Sequence, residues 1–259
     1  MKLLRSATLA FAMYSKIPMP RMEWTDDNLS YAFSFFPAVG LAVSVLLFAW
    51  MNLACWLGFG MMLTAAGCLL IPFIVTGGIH LDGFCDTADA LGSHQSIERK
   101  LEILKDSHVG AFALMACTLY LIAFFAFWCE VEFTGWRTMA VLALIPAYSR
   151  SWSGFGVVTI KNARGSGLLA TFTNAAAERQ VRASLVAWLL VLIAAMAVLS
   201  PLVGGTMAAV GALVFFYYRW KANKEFGGIT GDLAGWFLQL CEAGCVLGAV
   251  LAQKVGALL

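Results

Sequence analysis

Long apolar runs without charge dominate this sequence and restrict what it can fold into. Residues 31–57 contain no Asp, Glu, Lys or Arg, and this run exceeds the ~20 apolar residues that a helix needs to cross a bilayer. Only 12% of the chain is charged and 61% is hydrophobic, whereas soluble domains carry roughly 25% charged residues. The sequence therefore predicts an all-α, polytopic integral membrane helical bundle, with about seven spans at residues 31–57, 61–79, 110–128, 137–158, 183–199, 205–218 and 233–253.

The N-terminus is predicted to lie on the membrane surface as an amphipathic helix. Its apolar run is interrupted by Arg5 and followed by Lys16, which is unlike a cleaved signal peptide. We therefore expect this interfacial helix to be retained, and residues 1–259 to form a single membrane-embedded domain. The 7 cysteines lie in apolar segments without a paired or zinc-type spacing, so most are expected to be buried packing residues.

Basic residues predict which loops face the cytoplasm, because Lys and Arg near span ends are retained on that side. With alternating spans, all but two of the 17 Lys and Arg residues fall on one side, and only Arg137 and Lys254 fall on the other. The polar segments 76–110, 161–182 and 219–232 are therefore expected in the cytoplasm, which favours nucleotide-linked substrates. No basic cluster with interleaved aromatic residues occurs, so no nucleic-acid partner is expected.

The most polar segment, residues 76–110, contains three aspartates at a helical spacing. Asp82, Asp86 and Asp89 are separated as i, i+4 and i+7, which places their carboxylates on one helix face. Such adjacent like charges repel, and bare carboxylates without a Cys or His cluster suit a hard divalent ion. The pattern therefore predicts an Mg2+ site. The alternative is a solvated acidic helix end, but no Lys lies among the aspartates, as a surface helix would usually have.

Basic side chains could supply the cations that phosphoryl transfer needs around the reacting oxygens. The candidates are Lys105, Arg150, Lys161, Arg164 and Lys224. Each of them is also explained as a positive-inside topology signal. Arg150 is the strongest candidate because it lies at the end of an apolar span, where a charge needs a partner or a polar cavity.

Further polar residues could take part in such chemistry. His80 adjoins the aspartates and is predicted to be a general base or a phosphate ligand; the alternative is a histidine that merely caps a span end. Asp106 and Ser107 are equally compatible with a helix N-cap and with a substrate contact. Glu242 falls inside an apolar span, where an ionisable group is a functional candidate, unless it reaches the nearby membrane surface.

A second glycine pair echoes the first. The sequence G-G-I-T-G-D at 227–232 resembles G-G-I-H-L-D-G at 77–83, and the predicted topology places Asp232 on the same side as Asp82. Glycines let backbone N–H groups approach an anion closely. We therefore expect the two segments, although far apart in sequence, to bind one diphosphate in a shared cavity.

The chain resembles the cobalamin synthase family, the adenosylcobinamide-GDP ribazoletransferases, in three motifs: G-G-I-H-L-D-G-F-C-D-T-A-D-A-L-G at 77–92, L-E-I-L-K-D-S-H-V-G at 101–110 and F-G-G-I-T-G-D at 226–232. The likeness extends over the whole chain, including K-I-P-M-P at 16–20. It implies a multi-pass enzyme of the bacterial inner membrane that joins adenosylcobinamide-GDP to alpha-ribazole or its 5'-phosphate. The products would be adenosylcobalamin or its phosphate and GMP, and the cofactor Mg2+. A homo-oligomer is compatible with the sequence.

The resemblance also implies roles for individual residues. The family's H-L-D-G-x-x-D-x-x-D matches His80, Asp82, Asp86 and Asp89, the predicted catalytic residues, of which the three aspartates are the predicted metal ligands. Its other two motifs and the basic candidates give the predicted substrate-binding residues Lys105, Asp106, Ser107, Arg150, Lys224, Gly227, Gly228, Thr230 and Asp232.

Three positions depart from the family pattern. Cys85 stands where Ala is usual, Ala90 where Gly is usual, and His108 where the family mostly has Arg. The first two exchanges replace one small residue by another. The third replaces a permanent cation by a side chain that is mostly neutral at pH 7, which weakens the case for a phosphate contact at position 108.

Two other functions fit parts of the pattern. CDP-alcohol phosphotransferases use a similar multi-Asp motif in a membrane helix, but the Ala-Arg that follows their first D-G-x-x is replaced here by Asp86-Thr87. A cation-coupled transporter would need its acidic residues near the bilayer midplane. The aspartates instead gather beyond a span end, beside Arg99 and Lys100, which favours the enzyme.

Overall fold

The computed structural model describes residues 2–25, 29, 31–164 and 178–258. These residues are helical apart from turns, connecting segments and one isolated parallel bridge between Asn162 and Ile229. The helices are α1 (Lys2–Tyr14), α2 (Phe36–Leu57, preceded by a 3-10 turn at Ala32–Phe35), α3 (Met61–Thr76), α4 (Ile79–Gly92), α5 (Ile97–Ile103), α6 (Ala111–Cys129), α7 (Trp136–Ala143), α8 (Ile145–Thr159), α9 (Glu178–Leu199), α10 (Pro201–Phe226) and α11 (Gly231–Gly256).

The predicted membrane helical bundle is confirmed. Among the described residues, 5 helices are long and apolar enough to cross a membrane, namely α2 with its preceding turn, α6, α9, α10 and α11, or 6 spans if the bent pair α3–α4 counts as one. Large apolar side chains on these helices point outward, for example Val45, Leu119, Val198 and Leu213. Many exposed apolar side chains on long helices suit contact with lipid rather than water.

Two of the predicted spans have a different form in the structure. The span expected at 137–158 is two helices, because Pro146 lies in the first turn of α8, a position that tolerates proline's missing N–H while a helix interior does not. The span expected at 61–79 ends with α3, and α4 departs at an angle of 94°. Gly77 and Gly78 permit this turn with left-handed φ angles of 67° and 77°.

The polar loops gather at the two ends of the bundle. At one end, Lys100 pairs with Glu225 at 2.5 Å, and the backbone N–H of Ile229 donates to the Lys161 carbonyl at 2.8 Å. At the other end, Lys254 pairs with Glu132 at 3.0 Å. Helices α7 and α8 together still connect the two ends, so the predicted division of the loops into two groups survives the broken span.

The N-terminal helix forms as predicted and packs against the turn before α2. Leu9 and Ala10 are buried, and the backbone N–H of Lys16 donates to the Val75 carbonyl at 2.7 Å. Its position on a membrane surface stays a prediction. These contacts bring the end of α1 next to the turn between α3 and α4, where the motif residues begin.

Helix α11 is the central helix of the bundle. In its most apolar segment, 72% of the residues are buried, whereas in that of α6 only 22% are buried. Glycines allow α4 to approach it closely: a Cβ atom at Gly83 would lie 2.7 Å from the Asp232 carbonyl oxygen, and one at Gly235 would lie 2.8 Å from that of His80. Such distances exclude any larger residue without a shift of the backbone. This crossing holds His80 and Asp82 beside Asp232.

Candidate active site

A cavity of about 240 Å³ lies between the start of α4, the N-terminal end of α11, and α8. Its exposed end is polar and includes Asp82, Asp232 and Arg164, whereas its buried end contains the aromatic rings of Phe33 and Phe36. Asp82 and Asp232, which the sequence placed on the same side of the membrane, therefore do meet in one cavity.

Arg164 is the cation that faces these carboxylates. Its Nη2 atom lies 3.0 Å from Asp232 Oδ2. The bridge between Asn162 and Ile229 holds the Arg164 loop against the segment before α11. Thr230 then caps α11, because its Oγ1 accepts a hydrogen bond from the backbone N–H of Leu233 at 3.2 Å. The N-terminus of a long helix is itself favourable for an anion.

The three aspartates of α4 share one helix face, as their spacing predicts, but they differ in exposure and in hydrogen bonding. Asp82 is exposed, and Asp86 is half-buried and experiences the negative charges of Asp82, Asp232 and Asp89. Asp89 accepts two backbone hydrogen bonds, from Gly110 at 2.6 Å and from Ala113 at 2.8 Å. It therefore caps the N-terminus of α6 from a neighbouring helix, while its role as a metal ligand stays a prediction.

The carboxylates do not form a ready-made metal cage. Within the described ranges, no group of three or more His, Cys, Asp or Glu side chains is arranged to hold a metal ion. Mg2+ nevertheless takes only one or two protein carboxylates in many phosphoryl-transfer sites, and water and substrate phosphates supply the rest. The oxygen donors of Asp82, Asp86 and Asp232 fit that kind of site.

His80 and Ser153 line the cavity from opposite helices, α4 and α8. Their side chains are buried, at 6% and 0% exposure. The His80 Nε2 and Ser153 Oγ atoms have no hydrogen-bond partner in the described part of the chain. Because a buried polar atom without a partner is costly, these two atoms are candidates for hydrogen bonds to a bound molecule.

Arg150, the strongest basic candidate from the sequence, does not line this cavity, although its guanidinium carbon lies 5.9 Å from the ring centroid of Phe36 in the cavity wall. Its side chain is 1% exposed and its Nη1 atom binds Glu242 Oε1 at 2.8 Å and the Pro146 carbonyl at 3.0 Å. Ser149 donates to the same Glu242 oxygen at 2.9 Å. Arg150 and Glu242 therefore form a buried ion pair inside the bundle, which gives Arg150 a packing role, while its predicted substrate contact stays a prediction.

The two other basic residues among the predicted substrate-binding residues lie on the surface, as do the first two residues of the D-S-x-x-G motif. Lys105, Asp106 and Ser107 are exposed in the loop before α6. Asp106 accepts hydrogen bonds from the His108 ring at 2.6 Å and from its backbone N–H at 3.0 Å, and these bonds lower the pKa of Asp106. Lys224 is also exposed, and its ammonium group lies 5.0 Å from the Trp220 ring centroid.

Gly227 and Gly228 have a structural role in the backbone at the end of α10. Their N–H groups donate to the carbonyls of Asn223 and Ala222 and so end α10 in a glycine cap. Gly228 has no Cβ, and one would lie 2.9 Å from the backbone nitrogen of Ala163. The pair thus allows the Arg164 loop to approach, and their N–H groups are already used rather than free for an anion.

Comparison with known proteins identifies the family. Residues 6–250 match the family described as cobalamin-5-phosphate synthase. The chain belongs to this family. It is 40% identical over 255 residues to the adenosylcobinamide-GDP ribazoletransferase of Lachnoclostridium phytofermentans, covering 98% of this chain and 97% of that protein.

Other members of the cobalamin-5-phosphate synthase family are more distant and also match over more than nine-tenths of both chains. Proteins with the same name from Clostridium perfringens and Azorhizobium caulinodans are 34% and 32% identical, over 92% and 98% of this chain and 94% and 98% of their own lengths. No solved structure matches this chain. The resemblance found in the three sequence motifs is therefore confirmed over nearly the whole length.

Some cavity residues could not be chosen from the sequence. Arg164 was one of several equivalent basic candidates, and only its pairing with Asp232 distinguishes it. Ser153 and Tyr14 carried no signal, because a serine in an apolar span and a tyrosine in an amphipathic helix are common. Ser153 could have been noticed only as part of the unusually polar stretch S-R-S-W-S at 149–153.

Proposed function

We propose that this chain transfers the phosphocobinamide moiety of adenosylcobinamide-GDP to alpha-ribazole or its 5'-phosphate, with release of GMP, in the late assembly of the cobalamin nucleotide loop. Membership of the cobalamin-5-phosphate synthase family supports this reaction. The structural observation that carries it is the cavity at whose exposed end Asp82, Asp232 and Arg164 meet. Carboxylates for a metal, a cation and a helix N-terminus together suit a diphosphate.

Mg2+ is the proposed cofactor, held by Asp82 and Asp86 of α4 together with Asp232 of α11. Their mutual charge interactions leave a surplus of negative charge that Arg164 alone does not neutralise. When bound, the ion would neutralise oxygens of the diphosphate. Asp89 supports this arrangement by joining α4 to the start of α6.

The remaining roles follow from position. Arg164 lies beside Asp232 and is placed to bind a phosphate oxygen. In the transfer, a ribose hydroxyl oxygen of the acceptor forms a bond to the cobinamide-linked phosphorus, and the bond from that phosphorus to GMP breaks with its electron pair. The hydroxyl proton passes to His80, whose Nε2 atom has no partner among the described residues.

We also propose that the cavity opens to the cytoplasm of a bacterial inner membrane. The end of the bundle that contains Lys100, Lys161 and Arg164 is rich in basic residues, whereas the opposite end has Arg137 and Lys254. The positive-inside rule supports this orientation. A nucleotide-linked donor would then enter directly from the cytoplasm.

The test is a transfer assay with the purified full chain in lipid nanodiscs. We expect GMP release that requires adenosylcobinamide-GDP, alpha-ribazole and Mg2+ together, with one cobalamin formed for each GMP. GMP release at an equal rate without ribazole would identify a hydrolase. Transfer from CDP-alcohols instead would identify the phospholipid-type alternative, and corrinoid uptake into liposomes without nucleotide release would identify a transporter.

A further inference from the structure

The closed end of the cavity is built differently from its exposed end. Two phenylalanine rings, Phe33 and Phe36, are 5% and 2% exposed and form part of its wall. Tyr14 of the N-terminal helix lies against them, with its ring centroid 4.5 Å from that of Phe36 and 6.3 Å from that of His80 in a stacked orientation. An aromatic enclosure of this kind suits a flat, apolar ring system.

Two residues that line this aromatic enclosure have buried polar atoms without partners among the described residues. They are His80 Nε2 and Ser153 Oγ, and both side chains are more than nine-tenths buried. Apolar walls with a few convergent polar groups are typical of small-molecule sites, where the polar groups fix the orientation of the ligand.

The size of the cavity selects between the two substrates. The whole cavity, from its exposed end to its closed end, has a volume of about 240 Å³, below the roughly 300–1,000 Å³ of pockets for drug-sized ligands. A corrin with its amide side chains is far too large for this enclosure. The aromatic base of a nucleoside is of the appropriate size and polarity, with its ribose toward the exposed end.

We infer that this enclosure, formed by Tyr14, Phe33, Phe36, His80 and Ser153, is the acceptor subsite and binds the aromatic base and ribose of ribazole. This inference rests on the proposed function and names the substrate that the buried half of the site takes. The base lies against the wall that the three aromatic rings form. Ser153 Oγ holds the nucleoside by a hydrogen bond, and a ribose hydroxyl faces His80, two residues before Asp82 on α4.

This assignment gives α1 a role in substrate binding. The Tyr14 side chain closes the wall on the side of α1, and the hydrogen bond from the Lys16 N–H to the Val75 carbonyl, 2.7 Å long, holds that end of α1 in place. The donor then occupies the exposed end, with its diphosphate at Asp82, Asp232 and Arg164. The two substrates meet between His80 and Asp82, as in-line transfer requires.

Direct binding of alpha-ribazole tests the subsite without turnover. Equilibrium dialysis would use radiolabelled alpha-ribazole and the full-length protein in nanodiscs. We expect Ser153→Ala to weaken ribazole binding ~5-fold, the loss typical of one neutral hydrogen bond, and Tyr14→Ala to weaken it ~10-fold through lost ring contact. The Kd of adenosylcobinamide-GDP, measured separately, should change less than ~2-fold, since neither side chain contacts it.

Matched variants control for general damage. Ser151→Ala removes an equally buried hydroxyl from the same helix, one that donates to the Ala147 carbonyl at 2.8 Å, and Tyr14→Phe keeps the ring. Both should bind ribazole like the wild type. If Ser153→Ala does not fold, the comparison of Tyr14→Ala with Tyr14→Phe still decides the question, because Tyr14 is only partly buried.

Two results would overturn the subsite. One is unchanged ribazole binding in Ser153→Ala and Tyr14→Ala, and the other is a loss of donor binding in place of ribazole binding. Either result leaves the proposed function standing if the wild type still forms cobalamin. Conversely, a wild-type protein that binds ribazole in this variant-dependent way but releases no GMP from the donor would refute the proposed function and keep the subsite.

Discussion

Removing one member of the Arg150–Glu242 pair should destabilise the bundle and leave substrate affinity unchanged. The two side chains are 1% and 5% exposed, and the atoms Nη1 and Oε1 lie 2.8 Å apart. Glu242 is ~16 Å along α11 from Gly231 at the helical rise per residue, so a charge left there cannot easily reach the polar end of the bundle. This perturbation separates a packing role for Arg150 from the substrate role that the sequence suggested.

The expected magnitude follows from the burial of the pair. Breaking a buried ion pair by removing one partner costs ~3–5 kcal/mol of unfolding free energy, and Glu242→Ala leaves the Arg150 guanidinium without its carboxylate. Glu242→Gln keeps an oxygen acceptor and should cost about 1.5–3 kcal/mol, the worth of a charge-assisted hydrogen bond. The double variant Arg150→Met/Glu242→Leu removes both charges together and should be within ~1–2 kcal/mol of the wild type.

Steric trapping in nanodiscs measures the unfolding free energy of the full chain directly. The reaction rate and both KM values would be measured on the folded fraction of each variant. A Glu242→Ala protein as stable as the wild type but with a KM for adenosylcobinamide-GDP raised tenfold or more would contradict the packing role. A double variant no more stable than Glu242→Ala would show that the pair does not act as a unit.

Other parts of the structure give further expected outcomes. Gly235→Ala should cost ~1–3 kcal/mol of stability by overpacking the α4–α11 crossing and lower kcat at least ~10-fold by displacing Asp82, both measured in nanodiscs; an unchanged kcat would refute the close crossing. Asp89→Ala should lose ~1–2 kcal/mol through the uncapped α6 N-terminus, and Asp89→Asn less; equal unfolding free energies for the two variants would refute the cap. In a chain without native cysteines, a cysteine at Thr134 should react with an impermeant label from outside sealed cells and one at Ser93 should not; the reverse would overturn the orientation.

The membrane fold was predictable because apolar content is a property of long segments. A run such as 31–57 needs no tertiary information to be recognised as a span, and the structure places a long helix there. The break at Leu144 was less visible, since Pro146 lies in the otherwise apolar run 139–148. The 94° turn after α3 was indicated in the sequence only by a glycine pair. The dihedral angles of the two glycines, which determine the direction of the turn, could not be predicted.

The site was predictable where spacing alone fixes the geometry. One helix carries His80, Asp82 and Asp86, so their relative positions follow from the helical period. The meeting of Asp82 with Asp232 was expected from topology and the repeated glycine pairs, and the structure supplies its physical cause in the glycines at the α4–α11 crossing. The relative positions of residues on one helix were thus easier to predict than those of residues on two distant segments.

Pairing among the cations was not predictable, because it depends on packing between distant helices. Arg150 and Arg164 look alike in the sequence, each near a span end. The structure gives the first a buried carboxylate on α11 and places the second at the exposed end of the cavity. The burial of a partner such as Glu242 depends on tertiary packing, so a local sequence pattern does not predict it.

The most direct test of the central claim is a double-mutant cycle on kcat/KM for adenosylcobinamide-GDP, with Asp82→Asn, Asp232→Asn and the double variant assayed at saturating ribazole and Mg2+. If both carboxylates act on the same diphosphate, each single change should lower kcat/KM by ~100-fold. The double variant should then lose much less than the product of the two effects, because residues that act as a unit are not additive. Losses that simply multiply would show that Asp82 and Asp232 act independently and would contradict the shared site.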